Sequence, residues 1–169
     1  MNTFRSITTC ARPLSRRASL ALGGLALSLA LLVSSASAHA AVVQRFQSLA
    51  TGYVLDSNFN GSVYAGGWNG GNYQKWYVTP SGTYAGQQLV TVTDVATGRC
   101  LDSNTSGSVY TLGCNYGSFQ KWIEWPSSYG TYVLQDLATS FVLDGNAAGH
   151  MYTNGYNGGS YQKWFAINS

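Results

Sequence analysis

Three kinds of polar side chain return at fixed spacing in this 169-residue chain. Asp56, Asp102 and Asp144 are each followed eight residues later by a tyrosine (Tyr64, Tyr110, Tyr152) and thirteen later by an asparagine (Asn69, Asn115, Asn157). An ionised carboxylate accepts charge-assisted hydrogen bonds from neighbouring hydroxyls. A primary amide donates and accepts, and a phenol adds a flat apolar face with a polar tip. Such a set suits a ligand with paired hydroxyls on one edge and a C–H face, which is a saccharide. Turn formation alone accounts for an Asp or an Asn, but turn positions drift among Asp, Asn, Ser and Gly, as the flanking positions here do.

The elements that position these groups repeat with them. A leucine precedes every Asp (Leu55, Leu101, Leu143), and 18 residues after every Asp comes the Gln of Gln-Lys-Trp, at Gln74, Gln120 and Gln162. An aromatic residue precedes each Gln: Tyr73, Phe119 and Tyr161. Trp76, Trp122 and Trp164 read as core, since three large rings related by pseudo-symmetry fill a shared interior. The glutamines read as architectural, their amides satisfying backbone groups. Internal repetition of this length fixes the architecture. The chain divides into repeats at about 42–84, 88–128 and 131–169. In the first, short strands are expected at 42–49, 53–56, 62–65 and 75–78, punctuated by Thr51-Gly52, Asn60-Gly61 and Asn69-Gly70-Gly71. No stretch has helical periodicity. Three sets of four strands imply a closed all-β body, because closure removes exposed edges.

Residues 1–40 read as a cleaved signal peptide. Arg5, Arg12, Arg16 and Arg17 precede an apolar run from Ala18 to Val33, and Ala38-His39-Ala40 fits a cleavage site. That run is short for a membrane span, so membrane insertion is not expected and a secreted protein is; Arg16-Arg17 leaves the export route open between the general and twin-arginine systems. Without the leader, five cations face six anions, so the formal +3 of the whole chain says nothing about partners. So few cations exclude a nucleic-acid backbone as the ligand. Cys100 and Cys114, the pair left in 41–169, read as a disulfide in an exported chain. In the other repeats Val54 and Val142 stand for Cys100, and Trp68 and Tyr156 for Cys114, which leads to the expectation of an aliphatic–aromatic contact in place of the bridge. No metal set is present: two thiols need further ligands, and His150 is the one histidine beyond the leader.

The triple Leu-Asp…Gln-x-Trp pattern resembles the ricin B-type (R-type) β-trefoil lectins, over essentially all of 42–169. More narrowly, Leu-Asp-Ser-Asn…Val-Tyr…Asn-Gly-Gly-x-Tyr-Gln-Lys-Trp is similar to small actinomycete lectins for high-mannose glycans. The resemblance implies a β-trefoil of three four-stranded repeats with one shallow sugar site each, no cofactor and no catalysis. Carried over by position, the site residues are Asp56, Tyr64, Asn69 and Tyr73 in repeat 1. In repeat 2 they are Asp102, Tyr110, Leu112 and Asn115, and in repeat 3 Asp144, Tyr152, Asn157 and Tyr161. Three departures make the sites unequal. Gly66 and Asn154 stand in place of Leu112, Phe119 lacks the hydroxyl of Tyr73 and Tyr161, and Tyr116 stands where the family has Gly. Glycans or glycoproteins are the expected partners, bound by a monomer through several sites at once.

Other classes fit less well. Glycoside hydrolysis needs two carboxyl groups about 5–9.5 Å apart, whereas Asp56, Asp102 and Asp144 are expected to be spread around a threefold body. Asp94 and Asp136 precede Ala-Thr as turn residues, Glu124 has no evident partner, and His150 reads as an exposed polar residue. A protein-binding or inhibitor trefoil uses one differentiated loop and has no need of a polar triad kept three times. The alternatives are that protein-interaction or inhibitor module and a galactose-specific lectin.

Overall fold

The computed structural model describes residues 40–169. The leader expected at 1–40 lies, but for its last residue, outside them. Twelve strands run in chain order: β1 (Val42–Ser48), β2 (Val54–Ser57), β3 (Val63–Gly66), β4 (Trp76–Tyr84), β5 (Gln87–Asp94) and β6 (Cys100–Ser103), then β7 (Val109–Leu112), β8 (Trp122–Pro126), β9 (Tyr132–Asp136), β10 (Val142–Gly145), β11 (Met151–Asn154) and β12 (Trp164–Asn168). Every pairing is antiparallel. β1 pairs with β4 and β12, β4 with β5, β5 with β8, β8 with β9, and β9 with β12, which closes a six-stranded ring. The other six strands form three hairpins, β2–β3, β6–β7 and β10–β11, one in each repeat.

The interior is built from equivalent residues of the three repeats. Trp76, Trp122 and Trp164 are buried with Leu55, Leu101 and Leu143, and Phe46, Val92 and Leu134 belong to the same cluster. Each indole N–H donates to the carbonyl of the leucine beside the Asp, at 3.1, 3.1 and 3.3 Å. A buried Trp keeps its polar edge satisfied in this way. The same bond fastens the strand that carries the Asp to the strand that ends the repeat.

The three hairpins are joined by a cycle of backbone bonds. Thr111 N–H donates to Gly61 O, Thr153 N–H to Gly107 O, and Ala65 N–H to Gly149 O, at 2.8, 2.7 and 2.8 Å. Each repeat thus gives one bond and receives one from a different repeat. The accepting glycines have φ of +90°, +85° and +81°, and a Cβ on any of them would lie 2.2–2.7 Å from the carbonyl oxygen of its donor residue. Only glycine satisfies both conditions.

Two expectations change on folding. The last strand of repeat 1 does not stop at 78 but runs to Tyr84, paired with β5 as a long hairpin. Pro80 and Gly82 look like strand breakers, yet a register shift between them absorbs both. The aliphatic–aromatic contact expected in place of the disulfide is also not a core contact. Val54 and Val142 are buried, but Trp68 and Tyr156 are 42% and 48% exposed. The Arg45 guanidinium covers the Trp68 ring, and Tyr156 packs on Trp125.

Candidate functional site

The hairpin register sets each Asp directly opposite its Tyr: Asp56 faces Tyr64, Asp102 faces Tyr110, and Asp144 faces Tyr152. All four residues of β2, β6 and β10 are buried. One face of each strand lies on the tryptophan core, and the other faces a glutamine. Gln74 sits at the end of a short 3-10 turn, Asn72–Gln74, and its equivalents end the turns Ser118–Gln120 and Ser160–Gln162. Its amide donates to Asp56 Oδ2 at 2.9 Å and to Gly67 O at 2.8 Å, while its Oε1 accepts from Asn69 N–H at 2.7 Å. Gln120 makes the same three bonds to Asp102, Gly113 and Asn115. Gln162 makes them to Asp144, Gly155 and Asn157. The glutamine therefore does more than satisfy backbone groups. It fixes the carboxylate and the Asn-bearing loop relative to each other.

The carboxylates are 4–5% exposed, so each offers a ligand one narrow edge. A second bond holds Asp144 from the other side, from Gly145 N–H to Oδ1 at 2.8 Å. An ionised carboxylate has about four lone-pair sites, so acceptor capacity remains. Burial raises the Asp56 pKa above the usual carboxylate value; the bonds from Gln74 and Ser57 N–H offset this in part, and nearby Asp94 adds to it.

Tyr64 donates its hydroxyl to Ser57 O at 3.2 Å, Tyr110 to Ser103 O at 3.1 Å, and Tyr152 to Gly145 O at 3.0 Å. The phenol proton, which the sequence offers to a ligand, is thus used within the hairpin. What is left for a ligand is the ring and the oxygen as an acceptor. Tyr73 and Tyr161 approach Tyr64 and Tyr152 closely enough to help raise the latter pair's phenol pKa values, after burial and the adjacent Asp. Asn69, Asn115 and Asn157 are exposed, and each accepts at Oδ1 from the glycine two residues on, at 2.7 Å. The oxygen thus serves the turn, and the NH2 points to no protein acceptor among the described residues.

No protein-family model matches the sequence, and no curated protein matches it. Solved structures match it in shape. ThreeFoil, a designed protein with threefold symmetry, superposes with a TM-score of 0.68 at 21% identity, over 75% of this chain and 99% of that one. The β-trefoil BEL gives 0.66 at 18% identity, over 76% and 93%. The fold is a β-trefoil. SeviL, solved with asialo-GM1 saccharide bound, gives 0.64 at 16% identity, over 76% and 98%. At these identities the likeness is one of fold alone.

Within the trefoil the three constellations differ at their rims. Leu112 is 52% exposed on the strand that carries Tyr110, two residues along and so on the same face. Gly66 and Asn154 leave that place without an apolar side chain. Tyr116 stands 63% exposed in the left-handed region, with φ +57°. The disulfide Cys100–Cys114 ties the repeat-2 hairpin to the loop carrying Asn115, with Cα atoms 5.1 Å apart.

Sequence reasoning missed one set of groups. Asp94 accepts from Thr97 N–H and hydroxyl at 2.7 and 3.1 Å, as a turn residue does, but its other oxygen also accepts from Ser57 Oγ. Asp136 makes the same turn bonds to Thr139, at 2.8 and 2.9 Å. Burial raises the Asp136 pKa, against the lowering effect of the Thr139 bonds. The signal was present in the sequence as Asp-Ser at 56–57 and 102–103, against Asp-Gly at 144–145.

Proposed function

We propose that the protein is a secreted lectin without catalytic activity, with up to three shallow sugar sites, one in each trefoil repeat. The observation that carries this reading is the threefold recurrence of one assembly: a nearly buried carboxylate clamped by a glutamine, beside an outward-facing tyrosine ring and an exposed asparagine amide. Its scaffolding bonds leave groups over for a ligand: the second face of each carboxylate, the tyrosine ring and the asparagine NH2. A carboxylate edge for two hydroxyls, an NH2 donor and a ring for a C–H face match a hexose in kind and in number. Catalysis is not part of the proposal. Each site holds one carboxylate at its surface, and Asp94, whose charge acts on Asp56, is fully buried in turn and serine bonds.

The saccharide we propose is the mannose terminus of a high-mannose glycan. This rests on the resemblance of Leu-Asp-Ser-Asn, Val-Tyr and Asn-Gly-Gly-x-Tyr-Gln-Lys-Trp to actinohivin-type lectins. One shallow site is expected to bind at about millimolar Kd, near −4 kcal/mol. Three sites on one branched glycan gain about 10²–10⁴ through effective concentration, so a monomer suffices. The bound sugar of SeviL supports a saccharide role for a trefoil of this size.

The test is a glycan array of the protein beside the variant Asp56→Asn, Asp102→Asn, Asp144→Asn. Mannose-terminated ligands that the folded variant loses support the whole reading. Galactoside binding keeps the lectin and discards the mannose preference. A blank array from folded protein overturns the sugar reading in favour of a protein-binding trefoil.

A further inference from the structure

The residue just before the site asparagine differs in the three repeats: Trp68, Cys114 and Tyr156. In repeat 1 the Arg45 guanidinium lies 4.7 Å from the Trp68 ring centre, and in repeat 2 Cys114 is held by its disulfide. In repeat 3 this position lines a cavity. Tyr156 packs against Trp125 of β8, ring centres 4.9 Å apart and planes inclined by 59°. With Tyr84, Gln87, Ile123 and Gln135, the pair lines a space of about 370 Å3.

The lining is specific in its chemistry. Three aromatic rings and two primary amides contribute, and no charged side chain does. Tyr84 and Tyr156 are 55% and 48% exposed, so their faces are open to a ligand. The Gln135 amide nitrogen is engaged with Ser140 O at 2.8 Å, which leaves its carbonyl oxygen as an acceptor for a hydroxyl. Rings for C–H faces and neutral amides for hydroxyls select a neutral sugar; an ionic ligand would find no counter-charge. The volume lies in the lower part of the range of small-ligand pockets, about 300–1,000 Å3. The cavity also borders the loop that carries Asn157, through Tyr156. Tyr156 is bonded to Asn157, and its hydroxyl reaches back to Gly158 in the same loop.

We propose that this cleft extends the repeat-3 sugar site, taking the next residues of a neutral glycan whose terminal residue is held by Asp144, Tyr152, Asn157 and Tyr161. The inference rests on the sugar-binding reading above and adds to it that repeat 3 reads chain length while repeats 1 and 2 read one residue.

The test is affinity against saccharide length, by titration calorimetry on the protein carrying Asp56→Asn and Asp102→Asn, in which repeat 3 alone keeps its carboxylate. The probes are the monosaccharide and its linear di- and trisaccharides in the mannose and galactose series. The expected gain from mono- to trisaccharide is roughly three- to tenfold. Tyr156→Ala is expected to remove that gain and leave the monosaccharide affinity unchanged. The Trp125 indole N–H, which has no acceptor among the described residues, is expected to shift in NMR spectra with the longer sugars only. Monosaccharide binding without a length gain, or a gain that survives Tyr156→Ala, overturns the extension and leaves the repeat-3 site standing. Binding by the unsubstituted protein that the double variant loses puts the sugar in repeats 1 and 2 and also overturns it. No binding of any sugar by the unsubstituted protein overturns both readings.

Discussion

Gln74, Gln120 and Gln162 each satisfy a carboxylate, a backbone carbonyl and a backbone N–H in one buried place. Replacing one by Ala strands all three partners, so Gln162→Ala is expected to cost about 2–3 kcal/mol in urea unfolding. Tyr152→Phe gives up one hydroxyl bond and keeps the ring, and about 1 kcal/mol is expected there. Glu124 gives the pH prediction. Burial raises its carboxyl pKa, so the native state binds this proton more tightly than the unfolded chain does. The group therefore lowers stability at neutral pH, and the penalty fades as pH falls through the raised native pKa. Glu124→Gln is expected to raise Tm at pH 7 and to change it little at about pH 4. The recurrence of Asp, Tyr, Asn and Gln was legible in the sequence because spacing is visible there. Hydrogen-bond direction was not. Nothing in the order of residues tells that the tyrosine proton turns inward or that the glutamine holds the carboxylate itself.

Among the elements, the hairpins show most clearly what local sequence conveys and what it omits. Asn60-Gly61 reads as a turn, and a turn it is. Its second role depends on Thr111, in a different repeat, and long-range partners leave no local mark. Two glycine substitutions separate these roles. Gly149→Ala places a Cβ 2.2 Å from Ala65 O at φ +81°, whereas Gly70→Ala meets open space at φ +78°. The second is expected to cost about 1–2 kcal/mol for backbone strain alone. The first adds a backbone clash and is expected to exceed about 3 kcal/mol. Thermal unfolding of the two variants measures the difference. The end of β4 is hidden from local sequence for a related reason: Pro80 and Gly82 are breakers in isolation, but β5 supplies a partner that accommodates both.

For the molecule as a whole, threefold repetition fixed the architecture in advance, and unequal use of equivalent positions was the part left to the structure. The disulfide is one such asymmetry. Repeats 1 and 3 hold the same hairpin without a bridge, so reduction of Cys100–Cys114 is expected to lower stability by roughly 3 kcal/mol and leave the trefoil folded. Chemical unfolding with and without reductant checks this. A final consequence concerns the order of the repeats along the chain. β1 lies beside β12 over five paired positions, and Ser169 N–H donates to Val43 O at 3.0 Å. With the hairpin bonds running in a cycle, no repeat is first or last in space. A short linker joining the ends of the trefoil, with new termini cut at the β4–β5 tip near Gly86 or between β8 and β9 near Tyr129, should yield a rearranged chain with the same fold. The order in which the chain threads the three repeats is thus not demanded by the shape of the trefoil.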